Sequence, residues 1–197
     1  MLRNANQFIP VSDTGRVDLD IFREQCPRYG NVIVGWVNNE IGVIQPIKEN
    51  IDIWHKKHSC ILVDATQALS HIPIDVHELD VDFLVGSFGK LGGLTGSGFL
   101  YMRKGTHLEP MIKGGGQEHG MRASTENILG ILAGTMAISI ATRNIEIKAA
   151  ITAKKRDKII NGLLQIPKSH LNGNSDNRVC GNINIAFGGI EAESLVL

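Results

Sequence analysis

Lys90 lies in the most glycine-rich stretch of the chain, with Gly86, Gly89, Gly92, Gly93, Gly96 and Gly98 around it. Glycine lets a backbone come close to a bulky ligand. A lysine amine in a dry pocket gives up its proton more readily and becomes a nucleophile toward carbonyls. The Gly-Lys pair invites a phosphate-loop reading, but the place that needs the first glycine holds Leu84 or Val85, and Leu91 follows Lys90. The dinucleotide pattern fails as well, because Gly96 and Gly98 are followed by Tyr101. Two further polar groups follow apolar runs: Asn38, Asn39 and Glu40, then Asp64, Thr66 and Gln67. A carboxylate such as Asp64 can hold the proton of a heteroaromatic nitrogen. A Schiff-base lysine, an acid under a pyridine nitrogen and small polar groups for a phosphate are the elements of a pyridoxal phosphate site. The plainer alternative makes Lys90 a surface-loop lysine and Asp64 a turn residue, and residue order leaves both open.

The elements that must position these groups read as alternating strands and helices. Residues 31–37 (NVIVGWV), Cys60–Asp64 (CILVD), Phe83–Ser87 (FLVGS) and 98–103 (GFLYMR) are short apolar runs, the first two rich in β-branched residues. Between the first two, Ile47, Ile51 and Trp54 have helical spacing over 47–58. Continuous apolar strands alternating with helices predict an α/β fold with a mostly parallel sheet sandwiched by helices. In such sheets functional groups gather at the carboxyl ends of the strands, where all three candidate groups fall. From Ser124 to about Gln165 the pattern predicts helix, with Ser124 as its cap, Glu126 in the first turn and a charged solvent-facing run at 148–158. Residues 172–177 (NGNSDN) read as a loop, and 182–187 (NINIAF) as an alternating strand. The expected organisation is a partial large domain over 1–147, a connecting helix over 148–165, and the start of a small α/β domain over 166–197.

Composition narrows the function classes. The 197 residues carry 20 Lys plus Arg and 20 Asp plus Glu, a neutral balance that argues against nucleic acid as a partner. The apolar run 128–141 holds Gly and Ser and suits a buried helix, so no membrane partner is expected. Three scattered cysteines form no disulfide framework, and the N-terminus reads as neither signal nor transit peptide, so the expectation is a reducing, cytoplasmic setting. His55, His58 and Cys60 are close in sequence, but helix capping and core packing explain them better than a metal, and no metal is expected.

Four stretches then resemble a known family, in its order and spacing: VNNEIGVIQPI (37–47), VDATQALSHIPIDV (63–76), DVDFLVGSFGKLGGLTGSGFLYMRKG (80–105) and GGGQEHGMRASTEN (114–127). They resemble the cysteine desulfurases of the NifS/IscS type, class V aminotransferases among the fold type I (aspartate-aminotransferase-like) pyridoxal phosphate enzymes. The resemblance runs from about Phe8 to the end. It implies pyridoxal 5'-phosphate as cofactor, with Lys90 as the lysine that joins it and Asp64 on the pyridinium nitrogen. Asn39 and Gln67 would stand near the ring's phenolic oxygen and Ser87 on the phosphate. Thr125 would reach the phosphate from the second subunit of a homodimer, at a helix start that favours an anion. It also implies L-cysteine as substrate, L-alanine as product, and a sulfur-acceptor or iron–sulfur scaffold protein as partner.

The chain departs from the family pattern in four ways. Gly89 stands where the family has the His of Ser-x-His-Lys, and Leu94 where it often has Pro. Arg122–Ala123–Ser124–Thr125 replaces an Arg-Ser-Gly-Thr type of segment. An N-terminal portion with a phosphate-binding Thr and a ring-stacking His, and a C-terminal cysteine loop, are expected beyond these residues. Cys26, Cys60 and Cys180 do not match the family's nucleophile, so the isolated chain is expected to be inactive and poorly soluble or oligomeric. A non-catalytic paralogue acting as a dimerising or partner-binding module is a second reading. A related aminotransferase or selenocysteine lyase is a third.

Overall fold

The computed structural model describes residues 8–25, 30–58 and 60–196. Helix α1 (Leu19–Gln25) opens on Asp18, whose carboxylate accepts the Asp20 and Ile21 N–H groups at 2.9 and 3.1 Å. Strands β1 (Asn31–Gly35), β2 (Cys60–Asp64) and β3 (Phe83–Ser87) run parallel, and β4 (Gly98–Met102) returns antiparallel along β3. Spatial order follows chain order. Parallel neighbours need crossovers. These carry α2 (Ile47–Lys56) between β1 and β2, and α3 (Val76–Leu79) between β2 and β3. Asp75 caps α3 by accepting the His77 and Glu78 N–H groups.

Alternate residues of a strand face opposite sides. Ile61, Val63 and Leu84 therefore share one face of the sheet, and all three are fully buried. They pack beneath Ile47, Ile51 and Trp54 of α2, the residues whose helical spacing the sequence displays. Phe22 of α1 meets Trp54 edge-on, with ring centroids 5.0 Å apart. The opposite face is covered less: Ile33 of β1 and Leu100 of β4 are exposed. Helix α4 (Ile128–Thr142) lies near the β4 side of the sheet and packs Gly130, Gly134 and Ala137 inward. A side-chain carbon at Gly134 would overlap the Phe88 ring.

Helix α5 (Ile145–Leu163) leads to a two-stranded sheet, β5 (Ser169–Leu171) antiparallel to β6 (Ile185–Phe187), and then to α6 (Ala192–Val196). Residues 172–184 are tied to the loop after β1. Val179 N–H donates to the Gly42 carbonyl and Ile44 N–H to that of Asn177, both at 2.9 Å. Asn182 and Asn184 both donate from Nδ2 to the Glu40 carbonyl, at 3.0 and 3.1 Å.

Three expectations need correction. Helix does not begin at Ser124, whose φ of 93° is left-handed. Asn127 is the cap instead, its side chain accepting the Gly130 N–H at 3.0 Å. Nor is 124–165 continuous: Asn144 takes a left-handed φ of 55°, and α4 and α5 meet at a bend of 66°. Asn tolerates that conformation better than most residues. The strand at 182–187 shortens to Ile185–Phe187 with no buried/exposed alternation, because Asn182 and Asn184 spend their side chains on the Glu40 carbonyl. Strand β5 was not anticipated. It is three residues long, and Lys168 just before it has a left-handed φ of 64°. No single helix among the described residues is long and apolar enough to cross a membrane.

Candidate functional site

Strands β1 and β2 end side by side, with Gly35 opposite Asp64. A cleft of about 360 Å³ opens there, lined by Asn38, Asn39, Asp64, Thr66 and Gln67 among others. Asp64 closes a tight turn: its Oδ1 accepts the Thr66 N–H at 2.9 Å, and the carboxylate is exposed to the cleft. That turn brings Gln67 to the same cleft. Asn38 builds the facing loop, its Oδ1 accepting the N–H groups of Glu40 and Ile41, both at 2.9 Å. Asn39 points its amide at Glu40 Oε1, 2.8 Å away.

Ser87 lies on the same sheet face as Asp64, since Asp64 pairs with Val85 and Ser87 is two residues further along β3. Lys90 follows in a 3-10 turn over Phe88–Leu91 that ends on Gly92, whose φ of 83° only glycine adopts readily. Lys90 is exposed, so the dry pocket expected around its amine is not formed in the single chain. Gly98 opposes Ser87 across the strands, and a side-chain carbon there would lie 2.5 Å from the Gly86 carbonyl oxygen. Thr125 stands apart. It is exposed, three residues before α4 begins, and does not line the cleft. The structure thus gathers Asn39, Asp64 and Gln67, sets Ser87 and Lys90 at the end of the next strand, and leaves Thr125 outside.

Gln45 is a cleft residue that its sequence spacing does not mark. It is buried and lines the cleft, accepting the Val17 N–H and donating to the Gly15 carbonyl, both at 2.8 Å. An amide within the apolar stretch 43–47 was its one sequence signal. Cys60, His55 and Asp82 meet elsewhere, below β2. The buried Asp82 carboxylate pairs with Arg103 and accepts the Ile61 N–H at 2.8 Å, while His55 Nδ1 stands 3.4 Å from Asp80. Burial and the Asp82 carboxylate push the Cys60 thiol up to about 11, so it is a poor metal ligand at neutral pH. Cys180 faces His71 rather than the cleft. Cys26 lies outside the described residues.

A pyridoxal phosphate fits the cleft on its ring side. Asp64 brings a carboxylate to its lining and Asn38, Asn39, Gln45 and Gln67 bring carboxamides, and Gly35 presents no side chain, with open space where its Cβ would be. On the phosphate side Ser87 offers a hydroxyl, whereas Gly89 offers only backbone.

The pattern of the class-V aminotransferases matches residues 4–197, and the chain belongs to that family. Within it, the chain is 42% identical over 192 residues to the cysteine desulfurase IscS of Methanosarcina thermophila. It is 39% identical over 193 residues to the cysteine desulfurase IscS 1 of Archaeoglobus fulgidus. The first alignment covers 96% of this chain and 47% of the relative, and the second 97% and 50%. The chain therefore spans about half the length of the curated relatives it matches. A solved NifS-like protein superposes with a TM-score of 0.90 at 31% identity, covering 96% of this chain and 52% of that one. The NifS-like protein from Rickettsia africae gives 0.86 at 31% identity, with 94% and 53% covered.

Proposed function

We propose that this chain is the central part of a pyridoxal-phosphate-dependent cysteine desulfurase, which converts L-cysteine to L-alanine and passes the sulfur to a thiol. The observation that carries the reading is the joint placement of Asp64, Gln67 and Asn39 on one cleft, with Ser87 and Lys90 at the end of the adjoining strand. When bound, the cofactor supplies an electron sink for bond breaking at the substrate amino acid. The chain's own residues do the rest. Asp64 holds a proton on the ring nitrogen, Gln67 and Asn39 fix the ring's orientation, and Ser87 holds the phosphate. Lys90 carries the cofactor and moves the substrate's proton. Thr125 supplies a second phosphate contact from a neighbouring subunit of a homodimer. The sulfur goes on to an acceptor or iron–sulfur scaffold protein in the cytoplasm. Among the described cysteines neither Cys60 nor Cys180 lines the cleft, so sulfur abstraction draws on a thiol from elsewhere.

Titration with pyridoxal phosphate, followed by visible absorbance, tests the reading. Wild type is expected to gain a band that borohydride fixes on Lys90, and Lys90→Ala to gain none. Asp64→Asn is expected to weaken binding by about tenfold, the loss of one charge-assisted hydrogen bond. No band in wild type would sink the cofactor site. It would favour the second reading, a non-catalytic family member, which Gly89 and the exposure of Lys90 support.

A further inference from the structure

The fold joins two side chains that stand 109 residues apart in sequence: Cys180 Sγ lies 3.4 Å from His71 Nδ1. Neither lines the cleft. His71 sits in the turns after β2, its N–H donating to the Ala68 carbonyl at 2.9 Å. Cys180 is held by its neighbours. Val179 bonds to Gly42, and Arg156 reaches across from α5 to donate to the carbonyls of Arg178 and Val179, at 3.1 and 3.0 Å. A side-chain carbon at Gly181 would rest 3.8 Å from His71 Cε1 and 3.9 Å from the Thr152 methyl, so Gly181 lies close to both the ring and α5. Both residues are half-buried. Burial holds the imidazole below its ordinary pKa, so the ring is neutral at neutral pH and Nδ1 can take the S–H proton. A thiol within hydrogen-bond reach of a neutral imidazole is a nucleophile with its base in place.

We propose that Cys180 and His71 form a thiol-exchange site that takes small disulfides. Sγ attacks one sulfur of the disulfide, and the S–S bond breaks as the new one forms. The S–H proton passes to Nδ1 of His71 and from there to the departing thiolate. The products are a mixed disulfide on Cys180 and one free thiol, with the added disulfide as the only oxidant. The site is independent of the cofactor cleft and of the desulfurase reading. Cys60 is the internal comparison, since its thiol stays protonated beside Asp82.

Oxidised glutathione is the probe, and peptide mass spectrometry resolves the rate at each cysteine, in the folded chain and in urea. Cys180 is expected to react about tenfold faster folded than unfolded, because His71 Nδ1 stands within reach of Sγ to take its proton as the sulfur attacks. Cys60 is expected to react more slowly folded than unfolded. His71→Asn and His71→Ala should each bring Cys180 down to its unfolded rate or below, with Cys60 still protected. A folded wild type in which Cys180 reacts more slowly than in urea overturns the proposal, and that comparison needs no variant to fold. So does an unchanged Cys180 rate in a variant that still protects Cys60.

Discussion

Gly89 stands next to Lys90, yet nothing in its backbone requires glycine. Its φ is not in the left-handed region, and a side-chain carbon would sit 3.4 Å from the Thr95 methyl and 3.8 Å from Ser87 Oγ, ordinary contact distances. Gly89→His is therefore expected to change stability by no more than about 1 kcal/mol. It should also tighten pyridoxal phosphate binding by adding a donor beside Ser87. Thermal melts and the absorbance titration check the two halves separately. His71 gives a second test at this scale. Burial lowers its folded pKa below the ordinary 6.5, so the unfolded chain takes up the proton first as pH falls. The stability owed to the neutral ring is complete above the unfolded value and is lost as pH drops below it. Melting temperature is thus expected to fall between pH about 7.5 and about 5.5, and His71→Asn to flatten part of that slope. An equal slope in the variant would refute the assignment.

At the scale of elements, the small-residue stripe of α4 is what seats the Lys90 turn. Gly134 lies against the Phe88 ring, and Phe88 opens the same 3-10 turn that carries Lys90. Gly134→Ala forces ring and helix apart. It is expected to cost about 1–3 kcal/mol, as overpacking does, and to weaken the cofactor band as well, read by melts and titration. Strands β1 to β4 were legible because each is a short apolar run between turn residues, with β1 and β2 rich in β-branched side chains, and the core positions Ile47, Ile51 and Trp54 announced themselves by period. The Asp64/Gln67 pair was legible for the same local reason: both sit on one turn. What sequence spacing could not carry was one local bend and the long-range contacts. The bend at Asn144 depends on one residue's left-handed φ, and its neighbours Arg143 and Ile145 give no breaker signal. Gln45, the Glu40 clamp and the Cys180–His71 contact join segments 30 to 142 residues apart in sequence.

For the whole molecule, α4 poses an imbalance of surface. Its inward face is a stripe of small residues, while Leu129, Leu132, Met136 and Ile140 form a second apolar stripe, with Leu129 74% and Met136 64% exposed. A helix apolar on every side belongs inside a structure, and a contiguous apolar patch on a soluble chain marks an interface or an aggregation site. The exposed Ile33 and Leu100 on the poorly covered sheet face point the same way. Wild type is therefore expected to self-associate in sedimentation velocity at micromolar concentration. Each of Leu129 and Met136 would contribute about 1.5–3 kcal/mol if fully covered. Leu129→Lys with Met136→Lys should then shift the chain toward monomer with an unchanged circular dichroism spectrum, because neither side chain is buried in the single chain. Thr125 sharpens the test, since it lies in the segment that leads into α4 yet outside its own chain's cleft. If association through α4 brings Thr125 to a partner's phosphate site, Thr125→Ala weakens the absorbance titration only at concentrations where the chain associates. A wild type that stays a monodisperse monomer, or a Thr125→Ala effect that persists on dilution, would break the link between this surface and the site.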